Sequence, residues 1–133
     1  MAASKTSLSA GAIIREILLA DAAVAALTNK VFPVVTDQAV LPYILYRRAA
    51  LSQNPTKAGN PGADTVQMEV ICFADSYSAS VELAEAVRGA LDNLRDVETN
   101  DHTLAMRSCT LSDSEEAWQD DAYLQQLVFT VKI

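Results

Sequence analysis

The sequence predicts an α+β domain in which two main helices pack on one face of an antiparallel four-stranded sheet, in α-β-β-α-β-β order. Three observations carry this. Two segments repeat apolar residues at spacings of three, four and seven, the helical period. Four segments are rich in β-branched and aromatic residues or alternate with period two. Half of the 133 residues are hydrophobic and a fifth are charged, which excludes a disordered chain and suits one domain spanning 1–133.

The first helix carries Ile13, Ile14, Ile17, Leu18, Val24 and Leu27 on one face, with Lys5, Arg15 and Glu16 off it. Asp21 is placed to cap a second short helix after a kink, and Asn29 to stop it. In Val31-Phe32-Pro33-Val34-Val35, Pro33 forbids a central strand. The first main strand runs from Tyr43 to about Leu51, with Arg47 and Arg48 near its end. Residues 52–63 then hold two of the four prolines and two of the four glycines. Such a stretch cannot bury enough apolar surface to offset ordering, so it is expected to be mobile and to order on a partner.

Residues 64–74 form the next strand, apolar on both faces toward its end, as in a central strand. Asp75 and Ser76 offer caps for a helix reaching about Leu94. Its stripe is Ala84, Val87, Leu91 and Leu94, and Glu85–Arg88 and Asp92–Arg95 pair on its wet face. Residues 96–101 read as a polar connection, 102–111 as the third strand and 122–133 as the fourth. The last strand is expected to leave an edge for a neighbour to cover.

Composition excludes several functions. Ten Lys plus Arg against seventeen Asp plus Glu give a net charge of −7, a poor match for gripping nucleic-acid backbones. Charges interrupt every long apolar run, so no membrane span is expected. The N-terminal residues lack the pattern of a signal peptide. Cys72 and Cys109 form no C-x-x-C pair and read as small buried hydrophobes in a reducing cytoplasm. The single histidine, His102, reads as an exposed surface residue beside Asp101. No nucleophile, phosphate-loop or zinc pattern occurs, so neither catalysis nor a cofactor is expected.

One cluster stands out: Asp113, Glu115, Glu116, Asp120 and Asp121, with no Lys or Arg from Ser108 to Val131. Its spacing fits no calcium loop. It reads as the solvated tip of the last hairpin. Trp118 in its midst is either tucked under the loop, the favoured reading, or presented to a partner.

Several segments, in order, resemble a known family. They are Ile14-Arg15-Glu16-Ile17-Leu18-Leu19-Ala20-Asp21, Val31-Phe32-Pro33, Leu41-Pro42-Tyr43-Ile44-Leu45-Tyr46-Arg47-Arg48, the 67–73 strand, Glu85-Ala86-Val87-Arg88-Gly89-Ala90-Leu91-Asp92, and Val128-Phe129-Thr130-Val131. Over about residues 12–133 the chain is similar to the tail-completion, or tail-terminator-like, proteins of long-tailed phages and prophages. The resemblance implies a structural virion protein with no catalytic residues, assembled in the bacterial host cytoplasm and located in the virion tail. It further implies a homo-oligomeric ring, a hexamer, that caps the tail-tube protein and supports joining to the head-completion or connector protein. DNA would pass through without specific binding, and an acidic lining would favour sliding over sticking. The candidate partner surface is Asn54, Pro55, Lys57 and Asn60 in the loop, with Asp113, Glu115, Glu116, Trp118, Asp120 and Asp121 in the acidic segment. The alternative is a small ligand-binding or enzymatic α+β domain of unknown substrate.

Overall fold

The computed structural model describes residues 5–34, 40–53 and 64–133. A 3-10 turn, Ser7–Ser9, leads into α1 (Ala10–Ala20) and α2 (Ala22–Leu27). Then come β1 (Val31–Pro33), β2 (Tyr43–Ser52), β3 (Thr65–Ala74), α3 (Tyr77–Leu91), β4 (Leu94–Glu98), β5 (Ala105–Gln119) and β6 (Ala122–Lys132). The α+β class and the main element order stand, but the sheet has six strands rather than four, in the order β1-β2-β3-β6-β5-β4. It is mixed rather than antiparallel, because β1 runs parallel to β2.

Both additional strands are short edge pieces. β1 is only three residues long and ends on Pro33, which an edge tolerates. β4 is five residues long, largely exposed, and contains Asp96 at φ 55, so it has none of the alternation that marks a strand in sequence. It replaces part of the expected polar connection. β6 is not an edge: it pairs with β3 along one side and β5 along the other. β3 is central, as its apolar character implied.

The helices start where their caps lie. The Asp21 carboxylate accepts from Val24 N–H at 3.1 Å, breaking α1 from α2. The Ser76 hydroxyl accepts from Ala79 N–H at 3.2 Å. α2 stops at Leu27, two residues before Asn29, and α3 at Leu91 rather than Leu94. Arg88 pairs with Asp92 across one helical turn instead of with Glu85. The other Asp92 oxygen accepts from Leu111 N–H at 2.8 Å, fastening the end of α3 to β5.

One core lies between the helices and one face of the sheet. Ile13, Ile14 and Leu18 of α1 and Leu83, Val87 and Leu91 of α3 meet Ile44, Met68, Val70, Cys72, Phe129 and Val131. Each such side chain contributes about 1.5–3 kcal/mol by leaving water. Gly11 sets how closely α1 approaches: a Cβ there would lie 2.9 Å from the Tyr46 ring. No helix of the structure is long and apolar enough to cross a membrane.

Candidate assembly surface

The acidic segment is strand rather than tip. β5 starts at Ala105 instead of residue 102 and runs on through the carboxylates to Gln119. Only Asp120 and Asp121 form the turn, both at positive φ (53° and 61°), the geometry of a two-residue hairpin loop. A β-bulge between Leu111 and Asp113 divides the strand. Before it, β5 lies between β4 and β6; beyond it, β5 pairs with β6 alone among the described residues.

Period-two alternation then splits the cluster. Cross-strand partners share a face. Glu116 opposes Gln125 and Trp118 opposes Tyr123, whereas Asp113 opposes Val128 and Glu115 opposes Gln126. Glu116 and Trp118 lie on the helix side. The Tyr77 hydroxyl at the start of α3 donates to Glu116 Oε2 at 2.9 Å, and Gln125 Nε2 donates to the same oxygen at 3.0 Å. The Gln125 amide, then the Tyr77 hydroxyl, hold the Glu116 carboxyl below its usual range. The Tyr77 phenol is raised in turn. Asp113 and Glu115 lie on the opposite face, which no helix covers among the described residues.

Trp118 is 60% exposed and so not tucked under the turn. Tyr77, 51% exposed, lies edge-on to Tyr123, the cross-strand partner of Trp118. The tip of the arm is therefore aromatic as well as acidic. Nothing local in the sequence marks Tyr77, Tyr123 and Gln125; their signal lies only in the hairpin register, which a long strand through acidic residues obscures. Asn54, Pro55, Lys57 and Asn60, and the expected mobility of the 52–63 loop beyond Gln53, lie outside the described residues.

At the diagonally opposite corner β2 continues past the end of β1, so that Arg47–Ser52 has a strand partner on its β3 side only, among the described residues. Here a groove is lined by Leu8, Gly11, Pro33, Val34, Tyr46, Arg47, Arg48 and Met68. Arg47 is engaged with the buried Glu69, donating from Nε at 2.7 Å and Nη2 at 3.2 Å, and Gln126 Nε2 donates to the same carboxylate at 2.9 Å. Arg48 faces the helix side, its Nη1 donating to the Leu8 carbonyl at 2.7 Å.

The remaining chemistry-bearing residues do not converge. Cys72 and Cys109 are buried and free. Burial raises both thiols, that of Cys109 to about 12 with help from the nearby Asp92 carboxylate. His102 is exposed at φ 59, with Nδ1 2.7 Å from Glu98 Oε1. In the turn before β5, the hydroxyls of Thr103 and Thr99, with the Thr103 N–H, hold the Asp101 carboxyl well below the usual range. No cluster able to hold a metal ion occurs among the described residues.

Comparison with known proteins agrees with this picture of surfaces rather than a catalytic centre. No curated protein sequence matches the chain. Among solved structures, a chain from the virion of a native gene transfer agent (GTA) particle superposes with a TM-score of 0.78 at 18% identity, covering 96% of this chain and 98% of that one. The sequence matches the family of tail completion protein gp17 over residues 12–133. That family is one of structural virion tail proteins, not of enzymes. The chain belongs to the tail completion protein gp17 family.

Proposed function

We propose that the protein is a ring subunit that caps the tail tube and supports head-to-tail joining. Family membership across residues 12–133 carries this reading. The fold is compatible with it: two strand segments at opposite ends of one sheet have a partner on one side only among the described residues, and a closed ring of identical subunits needs two different matching surfaces. A hexamer is the expected closure. The partners are a second copy of the chain, the tail-tube protein and the head-completion or connector protein, and the site of action is the virion tail after assembly in the host cytoplasm. DNA passes through the bore, and the net charge of −7 per subunit disfavours its retention there. Asp113 and Glu115, on the face that no helix covers among the described residues, are the carboxylates best placed to line that bore. The loop residues Asn54, Pro55, Lys57 and Asn60, with Asp120 and Asp121 at the tip, are proposed to meet tube or connector. The single domain spanning 1–133 is the assembling unit.

The test is solution mass across concentration, with and without the cognate tail tubes. A discrete closed oligomer, formed alone or on tubes, is expected. A strict monomer under both conditions would overturn the reading.

A further inference from the structure

We propose that one copy of the chain joins the next by antiparallel pairing of the β5 arm, beyond its bulge, with the edge of β2 that has no strand partner among the described residues, seating Trp118 in the groove beside Arg48. The proposal rests on the ring reading and adds the surface.

Four observations support it. The first is strand direction. From β2 through β3 and β6 to β5 each neighbour is antiparallel, so β5 runs opposite to β2. A rotation about an axis along the strands preserves direction, so the β5 of one copy meets the β2 of the next in antiparallel fashion.

The second is the pleat. Ile44 N–H and the Tyr46 carbonyl point away from β3 into β1. By alternation the next residue with outward backbone groups is Arg48. On the arm, the two-residue turn makes Gln119 and Ala122 a hydrogen-bonded pair, so Trp118 and Glu116 turn their backbone groups outward. Directly paired residues share a face. Arg48, Glu116 and Trp118 all lie on the helix side, so pairing keeps the helices of successive copies on one side of a continuous sheet. Had the two parities differed, only an inverted copy would fit.

The third is stagger. The arm from Asp113 to Gln119 lies level with the end of β3 after Glu69, and the open part of β2 lies level with the end before it. Joining them shifts each copy along the strands. A closed barrel requires such a shift, because its strands must tilt.

The fourth is chemistry. Of the six large apolar side chains exposed among the described residues, Trp118 lies on the arm and Tyr77, from the start of α3, lies beside it; Leu51 is on the part of β2 beyond β1, with Leu8 and Val34 near it, and only Val40 lies elsewhere. The arm carries Glu116 and the groove carries Arg48, so charge matches where apolar surface matches.

Trp118 is the only tryptophan, so its emission reports the contact directly. Dilution of the full-length protein across the assembly transition, on tail tubes if tubes are needed, is expected to shift emission to the blue as mass increases. Trp118→Ser should raise the half-assembly concentration at least about tenfold, as loss of a central aromatic anchor does. Its far-UV circular dichroism should be unchanged. Arg48→Glu and Glu116→Lys should each block assembly alone, and their equimolar mixture should restore it, since each supplies the surface the other needs. Assembly with unshifted emission, undiminished assembly of the single variants, or a mixture that does not restore it would overturn the pairing while leaving the ring reading intact. A monomer under every condition would overturn both.

Discussion

The two halves of β5 share one strand and one long-range partner, β6, yet differ in everything else. From Ala105 to Leu111 the strand is held by β4, by β6 and by the Asp92 carboxylate at the end of α3, and it buries Met106 and Cys109. From Asp113 to Gln119 it has β6 alone among the described residues, exposes Trp118, and is acidic. Yet the exposed half is anchored rather than loose, because Glu116 accepts from both Tyr77 and Gln125. The difference teaches that one strand can be buried and stabilising at one end and exposed at the other, with a bulge as the divide, and the proposed pairing gives the exposed end to recognition. An edge of unpaired backbone is an aggregation hazard, and charge is one way natural sheets manage it. Under the proposed pairing, the same carboxylates would make that edge selective for a basic partner.

Breaking the inner half should cost most. Phe129 is fully buried opposite Leu111, and Phe129→Ala should destabilise the fold by about 3–5 kcal/mol, read from denaturant midpoints. Ser76→Ala removes the cap that starts α3 near the arm and should cost about 1 kcal/mol in the same measurement. Glu115→Lys should change stability by no more than about 0.5 kcal/mol, because its side chain is exposed and lies on the other face, whereas Glu116→Lys also removes the acceptor of Tyr77 and Gln125 and should block assembly. Near-equal losses of stability for inner and outer substitutions would erase the contrast.

Acid sharpens it further. Glu116 and Asp101 both have depressed folded pKa values, so what they contribute is fully present above the ordinary carboxylate pKa. It is lost as pH falls from there through the folded value. Carboxylate chemical shifts followed by NMR should show both titrating below the usual range, and Glu116→Ala should remove the anchor to Tyr77. An ordinary midpoint for Glu116 would mean the arm is not fastened to α3. The smallest effect concerns the thiols. Neither Cys72 nor Cys109 should react with a thiol reagent in the native protein, and both should react on unfolding.

Much of this was legible in the sequence where a physical signal is local. The caps Asp21 and Ser76, the kink between α1 and α2, the edge character imposed by Pro33, the central position of β3 and the burial of both cysteines follow from side-chain chemistry and period alone. β4 was not legible, because an edge strand held mainly by backbone hydrogen bonds needs no apolar alternation. In sequence the arm reads as a turn, because five carboxylates in nine residues have the composition of a solvated loop. Strand structure there is imposed by pairing with β6, a non-local interaction that overrides local propensity. The exposure of Trp118 has the same origin: once the segment is strand, its face is fixed by register and not by hydrophobicity.

The most direct test is amide hydrogen exchange on free and assembled protein. In the free subunit the Glu116 and Trp118 amides, which point away from β6, should exchange fast, while Cys109, between β4 and β6, should be protected. On assembly Glu116 and Trp118 should become protected, together with Arg48 of β2, and Cys109 should stay unchanged. Fast exchange at Glu116, Trp118 and Arg48 in a fully assembled ring would contradict the pairing of the arm with the neighbouring edge.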